Sequence, residues 1–177
     1  MGFFNNLFSH KQAADHAAPA PAEPDPMTQP HLIAPVSGTL ADISTVADQA
    51  FASKAMGDGI AIVPTDGTLV APTSGKIEAL FPTGHALGIT GTNGITVMVH
   101  VGIDTVEMQG DGFTLHAAQG DTVTEGQVLL EFDIDKIRAA GYDPVTMMLV
   151  VEHSCPGDLV KHADGPVARG DTAMWFA

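Results

Sequence analysis

The alternation of apolar and polar positions is clearest between Phe81 and Phe113, and it predicts a β-hairpin. From residue 96 to 101 two sets of side chains alternate strictly, one of Thr96, Met98 and His100 and the other of Val97, Val99 and Val101. A period of two residues is typical of a strand with one buried face. Upstream, His85, Leu87 and Ile89 alternate with small residues, and Asn-Gly at positions 93 and 94 is a strong hairpin signal between the two runs.

The register of this hairpin decides how two histidines meet. A four-residue loop at 91–94 places His85 directly opposite His100, whereas a two-residue turn at Asn93-Gly94 makes them diagonal neighbours. In either register the two imidazoles share one face, with Cβ atoms roughly 5 to 8 Å apart. Two facing histidines on an apolar hairpin form a candidate site. The alternative explanation is a pair of polar residues on a solvated face.

Elsewhere the pattern predicts further short strands and one helix. The sequence Pro-x-Ser-Gly occurs at 35–38 and again at 72–75, each time between apolar stretches. Proline presets a turn and glycine accepts a positive φ, so the repeat predicts two similar β layers. A helix is predicted from Asp133, which can cap it, to Gly141, which can end it. Further strands are predicted at Phe113–Leu115, Val128–Phe132, Val145–Val151 and Thr172–Phe176.

The first 31 residues do not share the β pattern. Residues 1–12 carry four apolar side chains at helical spacing, which predicts a short amphipathic helix in weak contact with a membrane surface, or else a frayed terminus. They are too few to span a bilayer. Residues 13–31 are rich in alanine and proline and predict a linker. One domain is therefore expected at 32–177.

Composition and charge limit the classes of partner that the protein can bind. The chain has 177 residues, 45% of them apolar, which is enough for one domain with a core. Its formal charge of −14 makes nucleic acid an unsuitable partner and would attract basic protein surfaces. The single cysteine, Cys155, excludes an internal disulfide and suits a reducing, cytoplasmic location.

Five sequence blocks resemble the glucose-type enzyme IIA of the bacterial phosphoenolpyruvate-dependent sugar phosphotransferase system. They are Ala34-Pro35-x-Ser37-Gly38, Gly57-Asp58-Gly59-Ile60-Ala61-Ile62, Thr83-Gly84-His85-Ala86, His100-Val101-Gly102-Ile103-Asp104-Thr105-Val106 and Gly110-Asp111-Gly112-Phe113. The likeness runs from about Leu32 to the C-terminus. It implies an all-β fold, an antiparallel β-sandwich or barrel of the duplicated hybrid motif type with one or two short helices. Gln49, Ala50 and the stretch 147–156 depart from the family pattern.

The resemblance also implies an activity, that of a phosphotransferase component without sugar kinase activity of its own. His100 would accept a phosphoryl group from phospho-HPr and pass it to the cysteine of a sugar-specific IIB domain, coupling uptake to phosphorylation. His85 would hydrogen-bond the phosphate, and Thr83 would orient His85. Partner-binding residues would be Asp48, Asp104, Phe51, Met56, Phe81, Met98 and Val106. Other transporters or kinases would be regulatory targets, as they are for members of the family.

Two other classes of protein are weighed against this one. A zinc-dependent, lysostaphin-like hydrolase could use His85, His100 and Asp104 as ligands, but its His-x-His element and a general base are missing. A biotin or lipoyl carrier needs a lysine at a hairpin tip, and Lys54 lacks the flanking pattern. The phosphocarrier reaction requires no cofactor, although zinc could bridge His85 and His100 to a carboxylate of a partner.

Overall fold

The structure, a computed structural model, describes residues 28–177. The predicted helix at 1–12 and most of the predicted linker at 13–31 lie outside the described residues. Within the described part the first strand begins at His31.

Short strands are the main secondary structure of the described chain. They are β1 (His31–Ile33), β2 (Gly38–Asp42), β3 (Asp58–Pro64), β4 (Thr68–Val70), β5 (Gly75–Leu80), β6 (Ala86–Gly91), β7 (Ile95–Val101), β8 (Phe113–Leu115), β9 (Thr122–Val123), β10 (Val128–Phe132), β11 (Thr146–His153), β12 (Leu159–Lys161), β13 (Gly165–Val167) and β14 (Thr172–Phe176). The α-helices are α1 (Gln49–Ala52) and α2 (Ile134–Ala139), and two 3₁₀ turns lie at Ile43–Thr45 and Thr105–Met108.

The strands form one large sheet and two small ones. The large sheet has the order β13-β2-β3-β11-β7-β6-β5-β9, and the small sheets have the orders β1-β14-β12 and β4-β10-β8. All strand pairs are antiparallel. Each small sheet has three strands, and β7 and β11 form the centre of the large one. The predicted all-β, duplicated sandwich is therefore confirmed.

The repeated Pro-x-Ser-Gly sequence joins the two halves. The Pro35 carbonyl accepts the N–H of Val70 at 2.9 Å, and the Pro72 carbonyl accepts the N–H of Ile33 at 3.0 Å. Each unit thus bonds the strand that precedes the other unit. The reciprocal bonds explain why a short sequence recurs with the same spacing.

The glycine of each unit begins a strand in close contact with the next. A Cβ at Gly38 would lie 2.1 Å from the Val63 carbonyl oxygen, and a Cβ at Gly75 would lie 2.2 Å from that of Thr90. Real Cβ atoms do not approach backbone oxygen this closely. Glycine is therefore needed here for space, although the sequence alone had indicated a turn conformation.

Apolar side chains pack on both faces of the large sheet. Its inner face belongs to the main core, which holds Val97, Val99 and Val101 of β7. Its outer face carries a second buried cluster, here called the outer cluster: Ile43, Val46, Phe51, Ala61, Val145, Met147 and Leu149, with Met98 and Ile103 packed against it. Because the turn at 43–45 and α1 lie over part of this face, they bury the outer cluster.

The register predicted for the β6–β7 hairpin is wrong by one residue. His100 pairs with Ala86 rather than with His85. The loop has three residues, 92–94, in which only Gly94 adopts a positive φ (83°). Asn93 instead uses its side chain, which accepts the Ile95 N–H at 3.2 Å. A β-turn in which the Gly94 N–H donates to the Gly91 carbonyl at 3.2 Å replaces the predicted two- or four-residue loop.

Other local predictions are confirmed. Asp133 caps α2, since its carboxylate accepts the Lys136 N–H at 2.9 Å. Gly141 follows the helix with a φ of 91°. Strands occupy the four segments predicted downstream of the hairpin, although β11 continues to His153.

Two strand glycines offer a matched test of this packing. Gly75→Ala should lower the free energy of unfolding by about 1–3 kcal/mol, because its Cβ would overlap a backbone oxygen. Gly88→Ala is the control: its Cβ would have no neighbour closer than 3.9 Å, so the change should stay within about 0.5 kcal/mol. Urea unfolding measures both. Equal losses would contradict the steric explanation.

Candidate active site

Two imidazole rings meet at the outer face of the large sheet. The ring centroids of His85 and His100 are 5.1 Å apart and the planes are nearly perpendicular, at 78°. His100 lies on β7, and His85 immediately precedes β6. The predicted meeting of the two histidines is therefore correct, although the register that predicted it is not.

His85 reaches its neighbour because the chain turns just before β6. Its main-chain carbonyl still accepts the Val101 N–H at 2.7 Å, while Gly84 has a φ of 74°. The side chain is only 5% exposed, and its Nδ1 lies 2.6 Å from Thr83 Oγ1. When the Thr83 hydroxyl donates to Nδ1, the proton of neutral His85 is on Nε2.

His100 has a single tautomer that its surroundings favour. Nδ1 lies 2.8 Å from the carbonyl oxygen of Gly102. A carbonyl can only accept, so Nδ1 carries the proton and donates it. Nε2 then holds a lone pair. Gly102 has a φ of 77°, which turns its carbonyl back toward the ring two residues earlier.

The surroundings also keep His100 neutral. Burial lowers its pKa to about 4, with His85 adding to the decrease. The Gly102 carbonyl and the carboxylates of Asp48 and Asp104 oppose the decrease without cancelling it. Burial also lowers the pKa of His85. At neutral pH both rings are thus uncharged, and an uncharged imidazole is the nucleophilic form.

The neighbours of His100 fix the ring from the sheet side. On the two neighbouring strands, the residues directly opposite His100 are Met147 on β11 and Ala86 on β6. The Phe51 ring lies 5.1 Å from the His100 ring. Phe51 belongs to α1, which Asp48 caps by accepting the Ala50 N–H at 2.7 Å.

The residues predicted to bind partners divide into exposed and buried groups. The exposed apolar ones are Phe81 (50%), Val106 (44%) and Met56 (41%). Asp104 is exposed, and Asp48 and Met98 are half-buried. Phe51 is only 5% exposed and packs against the His100 ring. It therefore offers little surface to a partner. Phe81 also contacts the site, with its ring 5.0 Å from that of His85.

Sequence reasoning missed two polar groups in the turn that follows β7. One is the Gly102 carbonyl, a backbone group whose only trace in the sequence is a glycine two residues after the histidine. Another is Thr105, fully buried, whose hydroxyl donates to the Val101 carbonyl. A threonine near a strand end is ordinary, so its residue type gave no signal.

A catalytic metal centre finds no support in the described residues. Residues 28–177 contain no group of three or more His, Cys, Asp or Glu side chains that could hold a metal ion. His85, His100 and Asp104 therefore do not form the three-ligand site that the zinc hydrolase requires.

An all-β sandwich that places a neutral, oriented histidine beside a second histidine is suited to carrying a group on an imidazole. The family model of the phosphoenolpyruvate-dependent sugar phosphotransferase system, EIIA 1, matches residues 30–155, and the chain belongs to this family. It is a phosphocarrier of that system, a transferase component that works with HPr and a sugar-specific IIB/IIC component. The hydrolase alternative is not supported.

Similar proteins agree with this assignment. The chain is 38% identical over 171 residues to the PTS system glucose-specific EIIA component of Halalkalibacterium halodurans, covering 97% of this chain and 95% of that protein. It is 44% identical over 143 residues to the PTS system beta-glucoside-specific EIIBCA component of the same organism, covering 81% of this chain but only 22% of that protein. The glucose permease IIA from Mycoplasma capricolum has a similar structure, with a TM-score of 0.77 and 30% identity over 81% of this chain and 93% of that one.

Across residues 28–177, no helix has the length and apolar character needed to cross a membrane.

The lowered pKa of His100 predicts how stability depends on pH. The unfolded chain would protonate His100 near pH 6.5, whereas the folded protein resists protonation until about pH 4. The stability from keeping this ring neutral is therefore present above pH 6.5 and is lost as pH falls toward 4. Relative to His100→Gln, which cannot titrate there, the wild-type protein should lose unfolding free energy over this range.

Urea unfolding of the two proteins at several pH values measures the difference. Parallel curves between pH 7 and 4 would contradict the lowered pKa.

Proposed function

We propose that His100 is the phosphorylated residue and that Nε2 is the atom that carries the phosphoryl group. The observation that carries this proposal is the hydrogen bond from Nδ1 to the Gly102 carbonyl, which leaves the Nε2 lone pair free. The lowered pKa supports it, because the ring need not lose a proton before it attacks. Its position on a strand fixes the attacking atom better than a loop would.

Each transfer exchanges one bond to phosphorus for another. The Nε2 lone pair forms a P–N bond while the P–N bond to the histidine of phospho-HPr breaks and returns its electron pair to that ring. In the second step the thiolate of a IIB cysteine forms an S–P bond, and the P–N bond to His100 breaks. Such transfers depend on positioning and on hydrogen bonds to the phosphoryl oxygens.

His85 supplies one of these hydrogen bonds. With Nδ1 bound to the Thr83 hydroxyl, the Nε2–H of His85 is free to donate to a phosphoryl oxygen. Its lowered pKa keeps this donor uncharged. A neutral donor does not hold the phosphate with a permanent positive charge, so the group can leave as readily as it arrives. Thr83 therefore acts by setting the tautomer of His85.

The surface around the histidines is suited to a basic protein. Phe81, Val106 and Met56 form an exposed apolar rim, with Met98 beside them, and Asp48 and Asp104 add negative charge near His100. The two carboxylates would repel free phosphate but attract a partner that brings its own arginines.

Because salt screens this attraction, transfer from phospho-HPr should slow as salt is raised. A rate that is independent of salt would contradict an electrostatic role for the rim.

The sugar and the location are further parts of the proposal. The relative that matches along nearly its whole length is glucose-specific, so we assign glucose as the transported sugar, with the choice made by the IIB and IIC partners. A beta-glucoside is the alternative. Reconstitution with each permease distinguishes the two. The protein would work in the cytoplasm, with residues 1–12 in contact with the membrane. Its regulatory contacts with other transporters or kinases would use the same surface around the histidines.

The proposed reaction needs no cofactor, because side chains supply the nucleophile and the phosphate donor bond. The two imidazoles offer zinc at most two ligands, and residues 28–177 add no third within a cluster. A zinc ion at His85 and His100 would need ligands from a partner's carboxylate. A chelator should therefore leave transfer from phospho-HPr unchanged, and its inhibition of transfer would contradict this.

Substitution of single histidines tests the roles. With phosphoenolpyruvate, enzyme I and HPr, His100→Gln should take up no acid-labile phosphate because the nucleophile is gone. His85→Ala should still be labelled at position 100, but about 10²- to 10³-fold more slowly, because the side chain that donates to the transition state is gone. Peptide mapping and labelling rates measure both.

His116→Gln is the matched control, since His116 is exposed and pairs with Glu131 on another sheet. It should behave like the wild type. Labelling of His100→Gln at the wild-type rate would overturn the assignment.

A further inference from the structure

The turn that follows β7 is hydrogen-bonded at every polar group around Gly102. Its N–H donates to the Val145 carbonyl at 2.8 Å, and the next N–H, of Ile103, donates to the Asp143 carbonyl at 2.9 Å. The Gly102 carbonyl accepts the proton of His100 Nδ1. The remaining group is the carbonyl of Val101, on the same peptide as the Gly102 N–H.

Thr105 is the partner of that remaining group. Its hydroxyl donates to the Val101 carbonyl, and the side chain is fully buried. Its methyl group also packs against Gly102, where an added Cβ would lie only 2.3 Å from Thr105 Cγ2. One side chain thus contacts the 101–102 peptide in two ways, through a hydrogen bond and through packing.

We propose that Thr105 is a positioning residue for phosphoryl transfer: it fixes the Val101–Gly102 peptide so that the Gly102 carbonyl holds the Nδ1 proton of His100 and leaves Nε2 to react. The proposal rests on the proposed role of His100 as nucleophile. Thr105 acts through the backbone and touches neither the ring nor the phosphate.

The freedom of glycine explains why such a device is needed. Gly102 has no Cβ to restrict its backbone, so the orientation of its carbonyl depends on the bonds of the adjacent peptides. Without the Thr105 hydroxyl, the buried Val101 oxygen would lack a partner and the peptide would rotate to find one. The Gly102 carbonyl would then turn away from His100, and the ring would populate both tautomers.

A purely structural role is the alternative. Thr105 begins the 3₁₀ turn at Thr105–Met108, and the capping residue, Asp104, makes no side-chain cap bond. Its hydroxyl bond could therefore serve only to stabilise this turn. That role would change stability but would not change which nitrogen of His100 carries the proton.

The tautomer of His100 distinguishes the two roles. In protein labelled with ¹⁵N-histidine, ¹⁵N NMR at pH 7 identifies the unprotonated nitrogen of His100 before any phosphorylation. The wild type and Thr105→Ser should show only an unprotonated Nε2, because both have the hydroxyl. Thr105→Val, of similar size but without a hydroxyl, should show both tautomers and should accept phosphate from phospho-HPr roughly tenfold more slowly.

Thr73→Val is the matched control. Thr73 is also buried, and its hydroxyl bonds within its own turn, to the Ser74 carbonyl at 3.5 Å. This variant should keep the wild-type tautomer and rate even if it is less stable. If Thr105→Val does not fold, Thr105→Cys replaces it, since its thiol is only a weak donor and the same mixture of tautomers is expected.

Three results would overturn the proposal: a wild-type tautomer in folded Thr105→Val or Thr105→Cys, a mixture of tautomers without a slower rate, or a mixture in Thr105→Ser equal to that in Thr105→Val. The proposed function fails in a different way. If wild-type protein is phosphorylated elsewhere than His100, that assignment is wrong, while the NMR result for Thr105 stands independently.

Discussion

One hydrogen bond, from His100 Nδ1 to the Gly102 carbonyl, determines what this site can do. It assigns the ring proton to one nitrogen and the reactive lone pair to the other. The low pKa keeps that lone pair unprotonated at neutral pH. In the proposed reaction, the second histidine donates to the phosphate, and the carboxylates and exposed apolar side chains contact the partner. Both roles require His100 to attack through this lone pair. If the carbonyl pointed elsewhere, the same residues would surround a ring with no preferred reactive atom.

The two central strands of the large sheet differ in how far their outer-face side chains are covered. On the outer face, β7 presents Met98 and His100, and β11 presents Met147 and Leu149. The segment with the 43–45 turn and α1 buries the side chains of β11 in the outer cluster. His100 remains partly exposed at the edge of that cluster, with Phe51 against its ring. The outer face of the large sheet is thus covered over one part, at the outer cluster, and open at His100.

Local chemistry predicted much of this fold. Alternating valines identified β7, the Asp133 cap and Gly141 bounded α2, and the repeated Pro-x-Ser-Gly indicated the duplication. The hairpin register was missed because the Asn93 side chain bonds Ile95 and also the His31 carbonyl, 62 residues away. Such a contact is invisible in the sequence of the hairpin itself. The roles of the Gly102 carbonyl and Thr105 were missed because they depend on backbone orientation, which residue type does not encode.

The identity of the reacting atom is the central claim, and nuclear magnetic resonance of the phosphorylated protein measures it directly. Protein labelled with ¹⁵N-histidine and phosphorylated through HPr should show a one-bond ³¹P–¹⁵N coupling to a single nitrogen, Nε2 of His100. Coupling to Nδ1 of His100, or to any other histidine, would contradict the account.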